Sequence, residues 1–159
     1  MSLPPELTHI IAETRLFTDA QRYVILKIAL SQGPGAVLAA EQLAVPFWAY
    51  LCDKDEATLV VSKAAGEQIQ PLSSVLDMSP PYRLITFDAP LDFGVVGYLA
   101  ALSAVLADAG VSLFALSAFS RDHILVGEAD FDRAWQALQA FIQACRAQEV
   151  ILCDGVESV

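Results

Sequence analysis

The chain of 159 residues carries nine Lys and Arg against nineteen Asp and Glu, a formal charge of −10, and is 55% hydrophobic. That composition supports a substantial buried interior and argues against disorder, and the length fits one domain or two very small ones sharing a core. The scattered cations exclude a phosphate-backbone binder of nucleic acid, which needs clustered Lys and Arg, and the acidic balance argues against docking on anionic membranes.

The opening, MSLPPELTHIIAETRL, lacks the basic n-region and continuous apolar core of a signal peptide, so a cytoplasmic location is expected. Residues 1–20 read as a lead-in, helical or irregular over Leu3–Ala12, with room for a short strand around Glu13–Phe17. YVILKIAL (23–30) reads as a strand, Gly33-Pro34-Gly35 as a turn, and AVLAAEQLA (36–44) as a short helix at most. FWAYLC (47–52) and ATLVVSK (57–63) then form a hairpin around Asp53-Lys54-Asp55-Glu56. Residues 21–65 thus look like a reduced unit, and residues 66–81, with Gly66, Pro71, Ser73, Ser74, Pro80 and Pro81, like a linker.

Residues 82–159 are better punctuated. YRLITFD (82–88) is β-branched and aromatic and closes at Ala89-Pro90, which reads as a strand. Val95, Leu99, Leu102 and Leu106 recur on one helical face over 95–109, and Gly110 supplies a C-terminal stop. This apolar stretch falls short of the ~18 residues that a membrane span needs. VSLFALSAF (111–119) reads as a central strand, 120–123 as a polar turn and ILVG (124–127) as the returning strand. Asp130 is positioned to cap a second helix whose stripe is Phe131, Trp135, Leu138, Phe141 or Ile142, and Cys145. EVILC (149–153) would add a last strand, completing a β-α-β-β-α-β order.

Little in the chain points to catalysis. The three cysteines, Cys52, Cys145 and Cys153, have no CxxC spacing, and His9 and His123 lie far apart, so no metal site or disulfide framework is expected. Asp92-Phe93-Gly94 spells the magnesium triplet of protein kinases, but the Gly-rich loop, strand lysine and catalytic-loop motif are missing. Gly94-x-x-Gly97 spells an RNA-clamping loop, which the charge excludes. There is no P-loop, HExxH or complete Rossmann fingerprint, and no cofactor is expected.

Gly94 and Gly97 instead sit where a strand hands over to a helix. Backbone N–H groups and the positive end of the helix dipole suit a carboxylate there, and a glycine allows close approach. The alternative is structural, with Gly97 letting the helix pack tightly and Gly94 accommodating the turn. Asp92 reads as a cap on the first helical N–H groups, or else as a partner for a ligand ammonium.

Residues 90–126 resemble the ACT domains, small ferredoxin-like modules that bind amino acids and related effectors. The likeness is to the paired ACT units of small bacterial proteins and of the cytosolic arginine sensors. It rests on Ala109-Gly110-Val111-Ser112 at the helix end, Ser117-Ala118-Phe119 at the strand end, Asp122 in the turn, and Ile124-Leu125-Val126. The resemblance implies an α+β protein of two tandem ferredoxin-like βαββαβ ACT units, the first one reduced, and no enzyme. It implies ligand contacts at Val95, Val96, Gly97, Ser112, Leu113, Phe119 and Asp122, with an amino acid or related small effector as partner. Homodimerisation is expected because ACT units commonly complete sheets and sites by pairing. Ala118 departs from the family's usual threonine and removes one hydroxyl. A ligand-free assembly module is the alternative function.

Overall fold

The computed structural model describes residues 3–43, 46–72 and 74–154. Ala44 of the expected first helix, Ser73 of the expected linker and positions 155–159 of the expected C-terminal domain lie outside the described residues, as does the side chain of Cys153. In chain order the elements are α1 (Pro5–Glu13), β1 (Arg15–Phe17), β2 (Tyr23–Ile28), α2 (Gly33–Gln42), β3 (Ala49–Cys52), β4 (Ala57–Ser62), α3 (Lys63–Ile69) and β5 (Val75–Met78). They continue with β6 (Tyr82–Asp88), α4 (Tyr98–Asp108), β7 (Leu113–Ser117), β8 (Asp122–Gly127) and α5 (Phe131–Asp154). The chain divides into two compact units, Met1–Asp19 with Leu84–Val159, and Ala20–Arg83. The architecture is a ferredoxin-like α+β fold, as expected from the residues around β6, α4, β7 and β8.

Within the unit of residues 20–83, β2-α2-β3-β4-α3-β5 is a complete β-α-β-β-α-β run with strand order β3-β4-β2-β5. Two expectations are corrected here. The stretch 66–81, expected to be a linker, holds most of α3 and all of β5, which pairs with β2 through Leu26↔Met78, Lys27↔Asp77 and Ile28↔Val75. Gly66 misled the reading because it serves packing, not a turn: a Cβ there would lie 2.4 Å from Val24 Cγ2, so only glycine lets α3 approach β2 so closely. Ser62 caps α3 by accepting from Ala65 N–H at 3.3 Å. Gly33-Pro34-Gly35, expected to be a turn, is the first turn of α2, where proline's missing N–H costs no hydrogen bond. Ala36 and Ala40 of that helix join Leu26, Leu59, Val61 and Ile69 in the core of this unit.

In the other unit, β6-α4-β7-β8-α5 follows the expected order, but its last strand comes from elsewhere. The strand expected at 149–153 is absent, since α5 continues to Asp154. The edge beside β6 is already held by β1, antiparallel with Arg15↔Asp88, Leu16↔Phe87 and Phe17↔Thr86, giving the order β1-β6-β8-β7. Residues 149–153 therefore have no open edge there, and α5 keeps its helical stripe of Ala134, Leu138, Ile142 and Cys145 in the core. Its later turns also bind α1: Arg146 donates to Ala12 O at 2.7 Å and Thr14 O at 3.0 Å, and His9 Nδ1 lies 2.6 Å from Glu149 Oε1.

Arg146 thus satisfies carbonyls at the C-terminal end of α1, where a helix has no donors of its own. Arg146→Met keeps the apolar stem and removes both bonds. The expected loss is about 1–2 kcal/mol in chemical denaturation, at roughly 1 kcal/mol per bond; an unchanged midpoint would show that water replaces the guanidinium without cost.

Candidate functional site

The geometry around 91–99 follows from one backbone requirement. Gly97 holds φ +86°, the left-handed region that favours glycine, and is the N-cap residue of α4. The helix starts at Tyr98, three residues later than its apolar periodicity suggests, because the chain must turn at Gly97 first. Among the described residues no side chain caps this end, so the first N–H groups of an eleven-residue helix have neither an intrahelical partner nor a capping side chain. Asp92 does not cap the helix as expected. Its Oδ1 accepts from Gly94 N–H at 2.7 Å, closing the turn ahead of the helix, so Asp92 shapes the loop instead.

Tyr98 anchors the other side of the helix start. Its ring packs edge-on against Phe87 with centroids 6.2 Å apart, and its hydroxyl lies 2.9 Å from Thr14 Oγ1, which also donates to Ile10 O at 3.0 Å. Burial pushes the Tyr98 phenol up to about 12, so it stays neutral and acts as a fixed strut.

A cleft of about 330 Å³ opens between the start of α4 and the β7–β8 turn. Val95, Gly97, Phe119 and Asp122, all expected site residues, line it together with the unexpected Tyr98, Ser117 and Arg121. Ser117 Oγ donates to Asp122 Oδ1 at 2.6 Å across the Ser117↔Asp122 strand pair, which fixes the carboxylate at the cleft. Arg121 reaches Asp88 Oδ1 at 3.8 Å. Phe119 is not core: it is 84% exposed and meets Phe93 edge-to-face with centroids 5.0 Å apart.

Three expected site residues lie elsewhere. Val96 is 85% exposed and lines a separate cleft of about 230 Å³ with Leu7 and Ile10. Ser112 precedes β7 and Leu113 opens it, pairing with Val126 at the end of the hairpin remote from Asp122, and Leu113 packs against the core. The five-residue strand β7 separates Leu113 from the Ser117–Asp122 end of the hairpin, so its two ends do not reach the same cleft. Ser117 was legible as a hydroxyl one face-repeat before Phe119 in the strand, and its pairing with Asp122 required only the hairpin register.

His123, next to Asp122, bonds Thr86 Oγ1 through Nδ1 at 2.9 Å. Burial, assisted by the Arg121 charge and opposed by Asp122, holds its pKa below the ordinary value. Its stability contribution is therefore present above about pH 6.5, the unfolded value, and is lost as pH falls through the lower folded value. Comparing wild type with His123→Gln should show the wild-type melting temperature falling more steeply between pH 7 and 5; parallel profiles would remove His123 as the cause. His9, raised by its bond to Glu149 and by the charge of Glu13, acts in the opposite direction, and the comparison cancels it because both proteins retain it.

Among the described residues no group of three or more His, Cys, Asp and Glu side chains could hold a metal ion, and no helix is long and apolar enough to cross a membrane. Residues 78–140 match the family model of the ACT domain. No curated protein matches the sequence. Among solved structures, a Vibrio cholerae protein of unknown function, described as a possible transport protein, is similar at 25% identity and a TM-score of 0.67, over 86% of this chain and 96% of that one. A protein from Agrobacterium tumefaciens is similar at 19% identity and a TM-score of 0.60, over 80% and 88%. The ligand-free regulatory subunit of aspartate kinase from Thermus thermophilus is similar at 12% identity and a TM-score of 0.60, over 79% and 95%. The ACT-domain model thus accounts for residues 78–140, and these neighbours share the fold.

Proposed function

We propose that this chain is an ACT-domain protein, a non-catalytic cytoplasmic regulatory module whose cleft binds an amino-acid-type effector. One observation carries the reading: the uncapped start of α4 and the Asp122 carboxylate line the same 330 Å³ cleft. The N–H groups and the positive helix end suit the effector's carboxylate, and Asp122, held by Ser117, suits its ammonium. Binding of this kind needs no lysine, in keeping with a chain so poor in cations. Val95, Gly97 and Phe119 complete the wall, with Val96 contributing through the loop that sets Gly97.

The unit of residues 20–83 counts in this reading as a second ACT-like unit, supported by its β3-β4-β2-β5 order. Homodimerisation also belongs to it. Among the described residues β7 ends the strand order of its unit, and such an edge is where a second copy adds. Ser112 and Leu113 lie at the start of that edge, where pairing would bring them to an interface.

A thermal-shift screen against the twenty amino acids tests the reading. An effector at a hundred times its dissociation constant stabilises by about 2.7 kcal/mol, an upward shift of several degrees. A screen in which no amino acid moves the melt leaves the assembly module, a surface that binds a second copy or a partner protein without ligand, as the better account.

A further inference from the structure

Resting on the effector reading above, the geometry points to selectivity: the cleft takes amino acids with an uncharged apolar side chain, aromatic or branched aliphatic, in preference to charged ones. Phe93 and Phe119 both line the cleft. They come from different loops, one ahead of α4 and the other after β7, yet meet at 5.0 Å with an interplanar angle of 84°. They are 82% and 84% exposed, so neither contributes to the interior of its own unit. Large apolar side chains left so open at the mouth of a cleft are suited to a ligand. Behind them Leu91, Val95 and Leu99 line the same cleft and pack against the core, which supplies an apolar floor.

Charged side chains find poorer partners. Arg121 lines the cleft and lies 3.8 Å from Asp88, both side chains exposed, so an acidic side chain reaching it would form another exposed ion pair of little weight. Asp92 lines the cleft with one oxygen engaged by Gly94 N–H. A basic side chain meeting it would form an exposed ion pair, and such pairs contribute little. Covering two aromatic faces removes far more apolar surface from water. The polar groups of the cleft therefore hold the common carboxylate and ammonium, and the phenylalanines read the side chain.

Isothermal titration of the full chain with L-leucine, L-phenylalanine, L-alanine, L-aspartate and L-lysine tests this directly. Leucine or phenylalanine should bind at least about tenfold tighter than alanine, aspartate or lysine. Phe93→Ala and Phe119→Ala should each weaken the preferred ligand about fivefold or more while leaving alanine within about twofold, because only the side-chain contact is removed. Both residues are exposed, so unchanged melting temperatures are expected and confirm that the variants fold. Aspartate or lysine binding as tightly as leucine, or both variants retaining wild-type affinity, would overturn the selectivity and leave the effector reading intact. If none of the five ligands binds, the selectivity falls, and the screen of all twenty amino acids decides whether the effector reading falls with it.

Discussion

Gly97→Val is expected to lower stability by roughly 2–3 kcal/mol, because a β-branched residue must then occupy the left-handed region. The φ of +86° is set by the passage from the Asp92–Gly94 turn into α4, and α4 is fixed by Tyr98, Leu102 and Leu106 in the core. The backbone has two ways to respond. It can bear the strain, or it can relax by unwinding the first turn of α4 and moving the N–H groups that face the cleft. Urea denaturation measures the loss, and titration of the effector checks its second consequence, weaker binding even where the variant stays folded. Gly97→Ala should show the same signs with a smaller loss. Gly94→Ala is the control: its φ is not in the left-handed region, and an added Cβ would lie 3.1 Å from Asp92 Oδ1, a tight contact that a small shift of that side chain relieves. Equal losses at positions 94 and 97 would mean that loop packing, and not the left-handed backbone, makes glycine necessary.

The same stretch shows what a sequence discloses. Strand–glycine–helix spelling located the junction, because local conformation depends on local chemistry, but it read Gly97 as a place of close approach and not as a left-handed residue. The role of Asp92 escaped, since an aspartate ahead of a helix can cap the helix or close its own turn, and only the backbone path between 92 and 97 decides. The missed α3 and β5 have a similar cause. Gly66 and the prolines at 71, 80 and 81 read as breaks, yet Gly66 answers a tertiary need, a helix lying against Val24, that no local pattern contains. The strand expected at 149–153 failed for a topological reason: β1, more than sixty positions before its partner β6, had already filled the edge. A short apolar run such as EVILC does not say whether an edge is free.

The site was partly legible for the same reasons. Gly97 and Asp122 could be chosen because each stands at a junction of elements, and the hairpin register then brings Ser117 to Asp122. Ser112 and Leu113 sit at the opposite end of that hairpin, a distance along the strand that residue identity alone does not reveal. Phe119 fell inside the stretch read as a strand, yet β7 ends at Ser117, two residues before it, so the ring leaves the sheet for solvent.

Asp122→Asn gives the second large effect, expected in binding rather than in folding. The substitution keeps an oxygen to accept from Ser117 Oγ, now 2.6 Å away, and so preserves the hairpin turn. What it removes is the negative charge opposite the effector's ammonium. Hydrogen bonds to a charged group contribute about 1.5–3 kcal/mol, so affinity for L-leucine should fall about 10- to 100-fold. 4-Methylpentanoate, the same molecule without its amino group, separates this from a general disturbance of the cleft. Wild type should bind the analogue weaker than leucine by a similar factor, whereas Asp122→Asn should bind the two nearly alike. That pattern assigns the ammonium to Asp122 and leaves the carboxylate to the start of α4. If Asp122→Asn weakens both ligands equally, Asp122 acts only by holding the β7–β8 turn, and the ammonium must be bound by another acceptor at the cleft, with Asp92 the nearest candidate by its place in the lining.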